Sequence, residues 1–292
     1  MSENNVFING RIVPADKAVV NVSDAGLLHG ASTFSTLLSH NGVVFRFERH
    51  LTRIMETVRR LGLRTDAAPG ALTEGAYDLL KANGLEEARL RITLTPGATT
   101  SGRGGESLES ARPTTLITAD PLPEYPATWY EDGIGVAIST FRQQADNPIF
   151  GYKTGCYFLR VLARQEAAAR GADEALWLTT DGRLAESCFC NAFLVIGGRV
   201  FTPPLDTPVL PGVVRGAVLD CCAELGVEAE TERPLDLSHL LSAEEAFLSS
   251  STMGVRPVVR IERHAVGEEN PGEVTRRIMD AYREMLDREC AR

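Results

Sequence analysis

Histidine and cysteine are scarce and scattered in this chain of 292 residues, which holds five of the first and six of the second. The cysteines stand at 156, 188, 190, 221, 222 and 290, none in CxxC spacing and none beside a histidine cluster. That pattern excludes a zinc-finger ligand set and predicts no metal site; reduced core thiols in a cytoplasmic protein are expected instead. Long apolar runs are missing too, so no membrane span is expected. The segment 1–10 lacks a basic stretch followed by an apolar one, so no signal peptide is read. Positive charge is in deficit, with 30 Lys and Arg against 39 Asp and Glu. The resulting net charge of −9 argues against a nucleic-acid partner. There is no internal repeat and no low-complexity tract.

What is present is the composition of a globular protein, 43% hydrophobic and 24% charged, in a length sufficient for two domains. Val6-Phe-Ile, the turn Asn9-Gly10 and Arg11-Ile-Val predict a β-hairpin. Residues 25–30 read as a turn-rich stretch. Strands are predicted over 33–38, 43–47, 88–95 and 114–118. Apolar residues at Leu51, Ile54, Met55, Val58 and Leu61 recur at helical spacing and predict a helix over 48–61 that ends at Gly62. A second helix is expected over 72–82, and a Gly- and Ser-rich loop over 96–112.

The segment 120–126 holds three prolines in seven residues. Neither a helix interior nor a central strand tolerates that. It reads as a linker, 121–127, between a domain over 1–120 and one over 128–292. The second domain is expected to carry strands at 135–141, 174–179, 191–196 and 246–249. Helices are expected at 158–170, 214–225 and 273–288. Cys188 and Cys190 alternate around Phe189, as on one face of a strand. Strands and helices mix without strict alternation, which predicts an α+β fold rather than a doubly wound sheet.

Lys153 lies in Gly151-Tyr152-Lys153-Thr154-Gly155, between the strand at 135–141 and the helix at 158–170. A lysine at such a junction can present its amine to a pocket and form a Schiff base with a carbonyl cofactor. Most lysines are surface groups, so the neighbours carry the argument. Glu186 follows in Leu184-Ala-Glu186-Ser-Cys-Phe-Cys-Asn191. Upstream stands His50-Leu-Thr-Arg53, and downstream Thr202-Pro-Pro204 with Val209-Leu210-Pro-Gly212-Val213-Val214-Arg215. Phe247-Leu-Ser-Ser-Ser251-Thr252-Met-Gly-Val-Arg256-Pro257 completes the series.

In this order the five segments resemble the class IV, or fold-type IV, pyridoxal phosphate enzymes. That group includes branched-chain and D-amino acid aminotransferases and aminodeoxychorismate lyases. The resemblance implies a small N-terminal α/β domain and a larger C-terminal domain, mixed and β-barrel-like with helices. It also implies pyridoxal 5'-phosphate and a pocket between the domains of a homodimer. By the same resemblance Lys153 is the Schiff-base lysine and general base. Arg53, a guanidinium suited to phosphate, holds the cofactor's phosphate group. Glu186 faces the pyridine nitrogen, and Tyr157 matches the tyrosine beside the phenolic oxygen. Leu210 packs on the ring. Gly212, Val213 and Val214 open a helix whose N–H groups take the phosphate, and Ser251 and Thr252 add hydroxyls.

The implied reaction is amino transfer between an amino acid and a 2-oxo acid. Aminodeoxychorismate lyase is the alternative, and a non-catalytic metabolite-binding relative is a reading from another class. Candidate substrate residues are His29, Phe34, Thr36, Arg91 and Arg256, the last two as carboxylate partners. The family pattern breaks at Leu38, Pro96, Phe189 and Val214.

Overall fold

The computed structural model describes residues 4–102, 105–107 and 112–291. Residues 103–104 and 108–111, part of the expected loop, lie outside the described residues. The chain divides into two compact units, neither continuous in sequence. One comprises Met1–Pro123, Lys153–Cys156 and Asp287–Arg292; the other comprises Glu124–Tyr152 and Tyr157–Leu286. The proline-rich stretch therefore marks only one passage between them. Lys153–Cys156 falls with the first unit while both of its chain neighbours fall with the second.

In the first unit, β1 (Asn5–Ile8) and β2 (Arg11–Pro14) form the expected hairpin around Asn9 and Gly10. The stretch expected to be all turn holds a short helix, α1 (Ala25–His29). Asp24 nucleates it, its Oδ1 accepting from the Gly26 N–H at 2.7 Å. β3 (Thr33–His40) and β4 (Val43–Val44) follow. The strand expected over 43–47 stops early because Arg46 turns left-handed, at φ 48°, and caps the next helix. That helix is α2 (Phe47–Leu61), followed by α3 (Pro69–Asn83) and β5 (Ala88–Thr95). Inside the expected loop, β6 (Thr100–Gly102) pairs antiparallel with β7 (Gly105–Ser107). β8 (Thr114–Pro121) completes a six-stranded sheet of order β2-β1-β8-β5-β3-β4.

Burial alternates along β5. Leu90, Ile92 and Leu94 face inward, while Arg89 and Arg91 are exposed. The inward set packs with Leu51, Ile54 and Val58 of α2 and Leu72, Ala76 and Leu79 of α3 in one core. One face of the sheet is thereby covered, which leaves the face of Arg91 for other work.

The second unit begins with α4 (Thr128–Glu131) and β9 (Ile134–Gln143). It continues through α5 (Phe158–Ala169), β10 (Glu174–Thr179), β11 (Leu184–Ser187), β12 (Asn191–Ile196) and β13 (Arg199–Phe201). α6 (Val213–Glu224), β14 (Ala229–Glu230), α7 (Leu237–Ser242), β15 (Glu245–Ser250) and β16 (Gly254–Ile261) come next. β17 (His264–Ala265) and α8 (Glu273–Glu289) end the series; the last three residues of α8 fall with the first unit.

Its nine-stranded sheet runs β11-β10-β9-β16-β15-β12-β13-β14, with β17 on β16. β9 is parallel to both neighbours, while β15 is antiparallel to both of its own. This mixture makes the fold α+β. Alanines at 163 and 167 on α5 let the helix lie close to Ala137 and Ala175 of the sheet. Cys188 and Cys190 are buried, but not on a strand. They flank a bend between β11 and β12, where the Ser187 N–H donates to Cys190 O at 2.8 Å and the Cys190 N–H donates to Ser187 Oγ at 3.0 Å.

Among the described residues no helix is long and apolar enough to cross a membrane, and no group of three or more His, Cys, Asp or Glu could hold a metal. All six cysteines are free thiols.

Candidate functional site

In the first unit the chain returns at Lys153–Cys156 to lie beside the start of β3. The Lys153 carbonyl accepts from the Phe34 N–H and from Thr33 Oγ1, each at 3.0 Å. Thr33 and Thr154 form an isolated bridge, and the Gly155 N–H donates to Ser32 O at 2.9 Å. The lysine backbone is thus pinned beside the start of β3 by these bonds, and its side chain leaves from a defined point. Lys153 Nζ lies 4.8 Å from the centre of the Phe34 ring, and the Arg91 guanidinium lies 3.5 Å from the same centre. Phe34 is opposite Thr93 and Thr36 opposite Arg91 in the β3–β5 ladder. Strand periodicity puts Phe34, Thr36 and Arg91 on one face. The structure therefore gathers Lys153, Phe34, Thr36 and Arg91; His29 is exposed at the end of α1, on another element.

Beneath this group, Arg53 Nη2 donates to Ser35 Oγ at 2.9 Å, and Ser35 Oγ lies 2.8 Å from His50 Nδ1. The guanidinium has no acceptor to offer, so the serine hydroxyl accepts from Arg53 and gives its own proton to Nδ1. That fixes His50 as the Nε2–H tautomer. Burial pushes the His50 pKa well below its ordinary value of 6.5, and the charges of Arg53 and Lys153 push the same way. His50 is a neutral orienting group, and Arg53 is held by it through Ser35.

In the second unit the centre is Glu186 on β11. Oε1 accepts from Arg160 Nη2 at 2.7 Å. Oε2 accepts from the Leu210 N–H at 3.1 Å and from Asn191 Nδ2 at 3.3 Å. Asn191 Nδ2 also donates to Leu210 O at 2.9 Å, which stitches the 209–212 loop onto the carboxylate. Gly212 is the N-cap of α6, where no side chain caps the helix; Val213 and Val214 are buried in its first turn. The uncapped N–H groups and the helix dipole suit an anion there.

Tyr157 stacks on Phe189 with ring centres 5.9 Å apart. In the turn after β15, Thr252 Oγ1 accepts from Tyr125 at 2.9 Å, and Met253 O accepts from Tyr130 at 3.0 Å. Ser251 is half-buried beside them.

Arg256 lies in the second unit, whereas the Lys153 group belongs to the first. It is 2% exposed on β16, with its guanidinium 4.8 Å from the Trp129 ring centre. Its Nε and Nη2 have no hydrogen-bond partner among the described residues. Burial pushes the neighbouring Tyr130 phenol up to about 12, and the charge of Arg256 opposes that rise.

Arg160 escaped the sequence reading. Burial pulls its pKa down, but Glu186 and Tyr157 raise it, and the net shift is upward. One signal was available: Arg160, Ala163 and Ala167 form the buried stripe of α5. An arginine on such a stripe requires a buried partner.

Residues 32–261 match the family described as Amino-transferase class IV. A branched-chain-amino-acid aminotransferase from Escherichia coli strain K12 is 30% identical over 284 residues, covering 95% of this chain and 91% of the relative. An aminodeoxychorismate lyase from Bacillus subtilis strain 168 is 27% identical over 281 residues, covering 96% and 94%. Among solved structures, the T.th. branched-chain amino acid aminotransferase with pyridoxamine 5'-phosphate superposes with a TM-score of 0.91. It is 25% identical, and 99% of this chain and 96% of that one are covered.

Proposed function

We propose that this chain, which belongs to the class IV aminotransferase family and works with pyridoxal phosphate, moves the amino group of a branched-chain amino acid to a 2-oxo acid through the Lys153 amine. The observation that carries this reading is the fixed Lys153 backbone, with Nζ and the Arg91 guanidinium both over the Phe34 ring.

The residues of each unit fit the cofactor. Arg53, oriented by Ser35, suits phosphate oxygens. The open amino terminus of α6 suits them too, at a glycine where a Cβ would meet Asn191. Ser251 and Thr252 add hydroxyls. When bound, pyridoxal phosphate supplies an electron sink for charge left on the substrate α-carbon.

The chain's own residues do the rest. Lys153 Nζ would hold the cofactor covalently and, once the substrate amine has displaced it from that bond, would be free to take the α-proton and deliver it again. Arg91 takes a substrate carboxylate, beside the Phe34 ring and Thr36. Glu186 would face the cofactor's ring nitrogen and favour its protonated form. The stacked Tyr157–Phe189 pair walls the ring's surroundings.

We also assign a homodimer and a cytoplasmic location. Large apolar side chains are exposed in each unit, Leu27 at 66% and Val22 at 77% in the first and Phe158 at 72% in the second. Such surface suits a subunit contact. Six free thiols suit a reducing compartment.

Borohydride reduction followed by peptide mapping tests the reading, with the cofactor's mass expected on Lys153 and absent from Lys153→Ala. A spectrum taken with L- or D-leucine and no 2-oxo acid should stop after one half-reaction. Continued turnover on aminodeoxychorismate, releasing pyruvate, would favour the lyase reading, which the Bacillus subtilis relative supports.

A further inference from the structure

We infer that Arg160 is the positioning residue for the Glu186 carboxylate and fixes which lone pair meets the cofactor's ring nitrogen. This rests on the reading of Glu186 as the ring-nitrogen partner.

A carboxylate offers roughly four acceptor sites, two on each oxygen. Asn191 and Leu210 occupy both on Oε2. Arg160 occupies one on Oε1. The acceptor site that is left lies on Oε1, the oxygen Arg160 holds. Any further donor to Glu186, a protonated ring nitrogen included, therefore shares Oε1 with the guanidinium.

The guanidinium is itself immobilised. Its Nη1 donates to Ser187 O at 2.8 Å and to Cys188 O at 3.3 Å. The Trp177 and Tyr157 rings flank it, with centres 5.4 and 5.6 Å from Cζ. A planar fork bound on one side to two backbone carbonyls sets the direction of its other N–H groups. Both partners of the pair are nearly buried, at 8% and 6% side-chain exposure. Loss of the guanidinium would leave the buried carboxylate without its protein partner on Oε1, free to rotate away from the position that Arg160 sets. That rotation changes how the ring nitrogen's proton is held.

The test uses protein loaded with pyridoxal phosphate labelled with nitrogen-15 in the ring, read by NMR across a pH series. Arg160→Met should move the ring signal away from its wild-type position, and Arg160→Lys should restore part of the shift. The methionine variant should also lose about 10–100-fold in kcat, the usual cost of an outer-shell partner, with little change in KM. A signal at the wild-type position in Arg160→Met, with a lowered Tm alone, would reduce Arg160 to a clamp on the 187–190 bend and overturn the inference. If the methionine variant fails to fold, an unmoved signal in Arg160→Lys overturns it equally. Glu186→Gln separates the two claims. It should move the signal whatever Arg160 does, and an unmoved signal there sinks the role of Glu186 itself.

Discussion

A Cβ on Gly212 would collide with Asn191 Oδ1, far inside van der Waals contact. Asn191 has nowhere to retreat, because its Nδ2 is committed to Leu210 O and to Glu186 Oε2. Gly212→Ala should therefore displace the 209–212 loop from the carboxylate. Overpacking of this kind costs about 1–3 kcal/mol. Urea unfolding should show that loss. Titration of the apoprotein with pyridoxal phosphate should show weaker binding than wild type; equal affinity would disconnect the loop from the cofactor.

His50 gives stability a pH dependence whose sign follows from its lowered pKa. Above its ordinary value of 6.5 neither the folded nor the unfolded state is charged there, so pH has no effect through this group. Below it the unfolded chain binds a proton that the folded one refuses, and stability falls until the folded pKa is reached. Urea unfolding at about pH 7.5 and about pH 5.5 should show a drop in wild type larger than in His50→Asn, on the order of 1 kcal/mol. Equal drops would mean that His50 titrates normally in the fold.

The elements that the sequence revealed are those whose cause is local. The apolar spacing of α2, the alternation of Ala88–Thr95 and the short apolar runs in Glu174–Thr179 and Asn191–Ile196 were legible because each pattern is a property of adjacent residues. α1 was not, because its N-cap Asp24 is held through Oδ2 by the hydroxyls of Thr95 and Thr114, at 2.8 and 2.7 Å and 71 and 90 positions away. The site divides in the same way. Lys153, Arg53 and Glu186 stand in motifs that follow one another along the chain. Arg160 offered only its place on the small-residue stripe of α5, and its partner Glu186 stands 26 positions away; Arg256 was visible in its motif, but its depth of burial was not.

Arg256 supplies a prediction of unusual sign. Among the described residues, two nitrogens of this buried guanidinium have no hydrogen-bond partner, and the only carboxylate seen to act with its charge is that of buried Glu174; replacing buried charge by an apolar side chain of similar volume is often neutral or stabilising by about 1–4 kcal/mol. Arg256→Met should thus leave the urea midpoint unchanged or raise it. A large fall would show that the contact with Trp129, or an anion held there in solution, matters more than the desolvation.

Thiol reactivity should be confined to one position. Cys156 is exposed, whereas the other five cysteines are buried. Burial, helped by Glu174, pushes Cys188 up to about 12, and burial pushes Cys222 and Cys290 up to about 11. Iodoacetamide at about pH 8 should label Cys156 of the native protein and spare the rest, since only the thiolate reacts. Mass spectrometry of the peptides reads the outcome directly; rapid labelling of Cys188 would mean that the bend at 188–190 opens in solution.

The four-residue return of the chain at Lys153–Cys156 constrains how this protein can be cut or recombined. A gene fusion joined at the proline-rich stretch would carry residues 1–123 without their amine. It would also strip the Phe34 N–H and the Thr33 hydroxyl of the carbonyl that both use. During synthesis β3 must wait about 120 residues for that carbonyl, so Lys153 is among the last residues the first unit acquires. An exchange of the first unit between related chains must therefore carry Lys153–Cys156 together with residues 1–123.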